Sequence, residues 1–266
     1  MSKLLISKIN YKYDPWEIKF ENDNQVDILK LKLNLTWKYF IKNLDINIIN
    51  KINELLTNDK INIFPYPDLL FYGLNLTPLN KTKVVILGQD PYFNYEELNN
   101  NKNIIIPQSM GLSFSVPVEI QIPISLINIF KNLLKYKHIS KMPIHGNLAF
   151  WAIQGVLMLN TSLTVKHKNP NSHSAEWEPL TDELIKYISS CLDHVIFVLW
   201  GTSALEKKKL IDENKHTVLI TSHPSGLSCN NSLRQYPAFN DYDHFGQINQ
   251  DLKKHNKRQI IWQNNF

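Results

Sequence analysis

KVVILGQDPYF, running from Lys83 to Phe93, is an apolar run that breaks off into a polar turn carrying a carboxylate, an amide and two aromatic rings. Val84, Val85, Ile86 and Leu87 are mostly β-branched and show no polar–apolar alternation, the pattern of a short parallel strand covered on both faces. Gly88 permits a sharp turn, and Pro91 stiffens the loop beyond it while biasing Asp90 away from helix. In open α/β sheets the loops that leave the carboxyl ends of strands line the ligand crevice. Gln89, Asp90 and Tyr92 are therefore expected to face a substrate, although an Asp-Pro pair is also an ordinary turn former.

Three similar apolar runs occur further along the chain. Val156–Leu159 ends at Asn160-Thr161, Val195–Leu199 ends at Trp200-Gly201-Thr202, and Val218–Ile220 ends at SHPSGLS. The segments between them carry helical signals. Ile127, Phe130, Leu133 and Leu134 share a face after Pro123 and Ser125, so Ser125 either caps that helix or touches a ligand. Ala149–Gln154 closes another helix, and residues 178–190 form an amphipathic one with Pro179 at its start. Upstream, Trp37, Phe40, Ile41, Leu44, Ile48, Ile49, Ile52 and Leu55 recur at helical spacing, which predicts one or two helices. Pro65, Pro67 and Pro78 limit any further helix to about Asp68–Leu74. The pattern predicts an α/β fold: a single domain whose four-stranded parallel sheet has helices on both faces. Residues 1–35 are weakly patterned and are set apart as an N-terminal extension of unassigned role, leaving 36–266 as the domain. The Asn-rich stretch 94–108 predicts a flexible loop anchored by Ile104, Ile105 and Ile106, and SMGLSFSVP a second loop or short strand bearing Phe114.

The 266 residues suffice for one large α/β core, and no linker divides them. A net charge of +5 is compatible with a polyanionic partner without requiring one. Arginine occurs only at positions 234 and 258, and lysine, as a point charge, suits phosphates better than base edges. The abundance of Asn, Ile and Lys resembles the coding bias of an AT-rich genome, so part of the basicity is compositional. Cys191 and Cys229 form neither a disulfide framework nor a metal-ligand spacing. No run approaches the roughly 18 apolar residues of a membrane span, and the lysine-interrupted opening does not read as a signal peptide. A reducing, intracellular location, cytoplasmic or nuclear, is expected.

A parallel sheet gathers all four strand-end loops at one edge. They supply one carboxylate (Asp90), two amides (Gln89, Asn160), one imidazole (His223), the ring of Tyr92 and several small hydroxyl residues, and SMGLSFSVP adds Phe114. Such a set can stack a planar heterocycle and read its hydrogen-bonding edge. One imidazole and one carboxylate do not make a metal site, and no phosphate-cradling GxxxxGK[ST] loop is present.

In this order, KVVILGQDPY, GLSFSVP, GVLMLNTSLTV, FVLWGTSA and HPSGLS resemble family 1 uracil-DNA glycosylase, across about Trp37 to Trp262. FPYPDLLF and the DHF near His244 are similar to further family segments. The resemblance implies a four-stranded parallel sheet, no metal, no cofactor, and removal of uracil from DNA without strand nicking. By resemblance, Asp90 is the carboxylate that activates water and offsets charge on the sugar. His223 donates to uracil O2 as the base departs, and Asn160 reads N3–H and O4. Tyr92 excludes the thymine methyl, Phe114 stacks on the extruded base, and Gln89 lines the pocket. Leu227 is the wedge that fills the vacated stack. Ser125, Gly201, Thr202 and Ser225 lie in phosphate-gripping segments.

The implied partner is uracil-containing DNA, single- or double-stranded, met by a monomer, with a replication or repair protein as a further candidate partner. Two departures stand out. Phe93 occupies a position where the family commonly has histidine, and Gly226 one where it has proline, which leaves the wedge loop less pre-organised. These departures motivate the alternative of a weakly active, glycosylase-fold DNA-binding accessory protein.

Overall fold

The computed structural model describes residues 15–22, 25–97 and 105–263. Its strands are β1 (Ile63–Phe64), β2 (Val84–Gly88), β3 (Tyr95–Glu97), β4 (Ile105–Pro107), β5 (Val156–Asn160), β6 (Val165–Lys166), β7 (Ile196–Trp200) and β8 (Thr217–Thr221). The central sheet has the order β5-β2-β7-β8, all parallel. Alternation of side chains divides the core in two. Val85, Leu87, Leu157, Leu159, Phe197 and Leu199 point to one face, and Val84, Ile86, Val156, Met158, Ile196, Val198 and Trp200 to the other. Because β2, β5 and β7 are buried on both sides, their sequences lack the polar alternation of a half-exposed strand.

Four long helices cover these faces: α1 (Ile46–Asn58), α2 (Ile124–Lys135), α3 (Ser174–Cys191) and α4 (His244–Lys254). α1 and α3 place Ile49, Ile52, Leu56, Trp177, Leu180 and Ile188 against the Val85–Leu87 face. α2 and α4 place Leu126, Ile129, Leu133, Phe245, Ile248 and Leu252 against the other. Asp45 and Asp243 accept the otherwise unpaired amides of Asn47 and Gly246 at the starts of α1 and α4. Among the described residues, no helix is long and apolar enough to cross a membrane.

The structure departs from the sequence reading in three elements. α3 begins at Ser174, so Pro179 lies inside it. Proline there forfeits only the bond to the carbonyl of Ala175, and the buried Trp177 and Leu180 hold the first turns in place. The window that the prolines left for any helix, about Asp68–Leu74, holds the end of a 3₁₀ turn, Pro67–Leu69, and most of a short helix, Tyr72–Leu76, which runs past it. The stretch read as a flexible loop contains an antiparallel pair of strands, with Tyr95 opposite Pro107 and Glu97 opposite Ile105. Ile106 is its anchor, buried with Val116 and Ile120; Ile104 lies outside the described residues.

The segment set apart at the N-terminus supplies Trp16, Phe20, Val26, Ile28 and Leu31 to the same cluster as α1. Trp16 also donates its indole N–H to the Pro65 carbonyl at 2.9 Å. These residues sit on short turns without a repeating period, so nothing in their spacing announces burial. Residues 1–14 lie outside the described residues.

Candidate active site

The site is built at the carboxyl ends of the central strands. Gly88, the last residue of β2, stands in register with Asn160, the last of β5. A Cβ at Gly88 would overlap Asn160 Oδ1, so the missing side chain is what makes room for the amide. The ladder continues beyond the strands. Thr161 N–H donates to the Gly88 carbonyl at 3.1 Å, and the Gln89 carbonyl accepts from Ser162 N–H at 2.9 Å and Thr161 Oγ1 at 2.8 Å. Gln89 turns its side chain outward: its Nε2 donates to Asn171 Oδ1, and its Oε1 accepts from Ser203 Oγ at 3.1 Å.

Asp90 Oδ2 accepts the main-chain N–H of Asn171 at 2.8 Å. Burial raises the Asp90 pKa above the usual carboxylate value, and backbone hydrogen bonds from Asn171 and from Asp90 itself oppose that rise. Across the cavity, Phe114 adopts a left-handed backbone, φ +63°, rare for a bulky residue and frequent at functional sites. Its ring meets Trp200 edge-on at 5.3 Å and lies 5.8 Å from His223. The loop before it is held where Gly111, φ +73°, accepts Gly73 N–H at 3.0 Å.

His223 lies just beyond β8. Its Nδ1 accepts the N–H of Ser225 at 3.0 Å, so the neutral ring carries its proton on Nε2. Burial lowers its pKa to about 4, which keeps the ring neutral at pH 7. Gly201, φ +93°, lets the loop after β7 close on this imidazole, since a Cβ there would stand 2.9 Å from His223 Cβ.

Gln89, Asp90, Tyr92, Phe93, Phe114, Ser125, Asn160 and His223 line one cavity of about 190 Å³. That is the liquid volume of about six waters, a space suited to a single heterocycle. Ser125 makes no capping bond at the start of α2 and faces this cavity instead. Gly201, Thr202, Ser225 and Leu227 do not line it. Leu227 is 90% exposed, at the tip of a loop stitched by bonds from the Ser228 and Cys229 amides to the Ser225 carbonyl. A larger groove of about 660 Å³, bordered by Leu29, Leu33, Lys38, Ile46 and Phe71, offers no carboxylate, amide or imidazole. Size alone therefore points to the wrong place, and the convergent polar groups mark the smaller cavity. The one cluster of potential metal ligands among the described residues, His194, Asp251 and His255, involves none of the residues lining that cavity.

The family model for the uracil DNA glycosylase superfamily matches residues 74–253. The chain belongs to this superfamily. A probable uracil-DNA glycosylase of Acanthamoeba polyphaga mimivirus is 37% identical over 97% of this chain and 72% of its own. The uracil-DNA glycosylase of Psychromonas ingrahamii is 43% identical over 86% of this chain and all of its own. The crystal structure of mimivirus uracil-DNA glycosylase matches with a TM-score of 0.86 at 37% identity, covering 95% of each chain. Within this glycosylase fold, Phe93 is half-buried against Phe64, Tyr66 and Val165 while also bordering the cavity. The residues that the sequence reading passed over are Asn171 and Ser203, which hold Gln89 and Asp90. The turn-forming NPNS at 169–172 was the only local signal for Asn171, and Ser203 lies within the FVLWGTSA segment.

Proposed function

We infer that this chain is a uracil-DNA glycosylase, a monofunctional enzyme of DNA base excision repair that hydrolyses the bond between uracil and deoxyribose. The observation that carries the reading is the convergence of Asp90, Asn160, Phe114, Tyr92 and His223 on one cavity the size of a base. Uracil leaves the stack, rests on Phe114, presents C5 to Tyr92, and is read at N3–H and O4 by Asn160. As the N1–C1′ bond breaks, its electron pair moves onto the base, and the neutral His223 Nε2–H donates toward O2. Asp90 orients water for attack at C1′, takes its proton, and offsets the positive charge on the sugar. The proton taken up by Asp90 is released to solvent and the uracil anion is protonated from solvent, so the products are free uracil and an abasic site.

Among the described residues no lysine lines the cavity, which supports hydrolysis without a Schiff base or strand nicking. The enzyme acts as a monomer on uracil-containing DNA, single- or double-stranded. The exposed Leu227 suits insertion into the space the base vacates. A uracil-containing oligonucleotide incubated with the protein will acquire alkali-labile sites, and the double variant Asp90→Asn with His223→Leu will abolish them. Undiminished cleavage by that variant would overturn the assignment.

A further inference from the structure

The turn between β6 and α3 makes three hydrogen-bonded contacts with the loop that carries Asp90. Lys168 N–H donates to the Phe93 carbonyl at 3.1 Å, Asn171 N–H donates to Asp90 Oδ2 at 2.8 Å, and Asn171 Oδ1 accepts from Gln89 Nε2. The turn is itself braced. Ser172 Oγ accepts Lys166 N–H at 2.8 Å, Asn169 N–H reaches the Lys166 carbonyl at 3.0 Å, and β6 is zipped to β1 through Phe64 and Val165. Asn171 sits at φ +62°, a conformation that asparagine adopts more readily than other residues bearing a Cβ. That backbone geometry accompanies an amide directed at Asp90 and a side-chain oxygen directed at Gln89.

We propose that Asn171 is a positioning residue for the glycosylase reaction: it fixes the Asp90 carboxylate for water activation through its main-chain N–H and locks the neighbouring loop through its side chain. This rests on the reading of Asp90 as the catalytic carboxylate. Asn171 serves as strut rather than reactant, because one oxygen of Asp90 is pinned and the carboxylate loses its freedom to rotate. A donor to the ionised form also holds the Asp90 pKa down against burial. Pro170 immediately before it adds stiffness to the turn.

Two substitutions separate the components. Asn171→Ala strains the left-handed turn and deletes the side-chain acceptor, whereas Asn171→Gly deletes the acceptor but accommodates the turn. Excision from a uracil-containing oligonucleotide is measured across pH for both, beside Asp90→Asn, with thermal melting to confirm that each variant is folded. Asn171→Ala is expected to lower kcat about 10-fold or more, to leave KM within about twofold, and to move the acid limb of the kcat profile to higher pH. Asn171→Gly should recover part of the rate. A mere loosening of the fold would lower the melting temperature without moving the acid limb. If Asp90→Asn is inactive while both Asn171 variants keep the native kcat and acid limb, the positioning role is refuted. Full activity in Asp90→Asn would instead remove the reading on which it rests.

Discussion

Replacing Gly88 by alanine adds one methyl group at the point where the fold meets the Asn160 amide, the group proposed to read the base. The β2–β5 ladder runs in register from Val84 opposite Val156 to Gly88 opposite Asn160, so the strands cannot part locally without breaking it. The added Cβ would overlap Asn160 Oδ1 and stand 2.9 Å from Ser113 Cβ. Asn160, whose side chain is the mobile partner, has to swing away. Losing two hydrogen bonds to the uracil edge costs about 1 kcal/mol each, and leaving a buried N–H of the base unpaired adds about 1–2 kcal/mol. The sum, about 3–4 kcal/mol, corresponds to a fall in kcat/KM of roughly 10²- to 10³-fold. Crowding costs a further 1–3 kcal/mol or so of stability.

The assay is steady-state excision from a uracil oligonucleotide for Gly88→Ala, Asn160→Ala and the double variant, with urea unfolding of each. Because both changes remove the same interaction, the double variant should lose little more activity than Asn160→Ala alone. A Gly88→Ala enzyme within about threefold of native activity, or a double variant in which the two losses multiply, would refute the steric argument.

His244 and Leu227 give two further tests. His244 is fully buried with Nδ1 accepting Trp200 Nε1–H at 3.1 Å and Nε2 donating to the Phe239 carbonyl at 3.0 Å, and burial lowers its pKa to about 3. The unfolded chain binds a proton there below its ordinary 6.5 while the folded chain does not. Stability should therefore decline as pH falls from about 6.5 toward 3, by up to about 1.4 kcal/mol per pH unit from this residue; urea midpoints that do not decline from about pH 7 to pH 5 would contradict it. Leu227→Ala, at an exposed loop tip, should leave stability within about 0.5 kcal/mol. It should slow excision from duplex DNA about 10-fold more than from single-stranded DNA, and equal slowing on both substrates would count against the wedge role.

Much of the fold is legible locally. Runs such as Val84–Leu87 and Ile196–Leu199 have no alternation because both of their faces are buried, and turn-forming residues close each run, so strands, loops and their common edge can be read from short windows. The residue types that can stack a planar heterocycle and read its edge stand in those loops, and the resemblance to the glycosylase motifs is what named the heterocycle. Other features have no local signature. Trp16, Val26 and Ile28 are scattered along irregular chain, and only packing against α1 gives them a place in the core. Tyr95–Glu97 pairs with Ile105–Pro107 although its polar composition reads as loop, because main-chain hydrogen bonds are indifferent to the side chains that carry them.

Asn171 and Asp90 lie 81 positions apart and meet through a backbone N–H that every residue except proline possesses. Composition and periodicity along the chain thus determined the four central strands and the polar groups gathered at their ends, able to meet a planar heterocycle. The tertiary structure alone decided which amide holds the carboxylate and which glycine clears space for the asparagine, since hydrogen bonds and steric exclusion depend on where atoms come to rest and not on their order along the polymer.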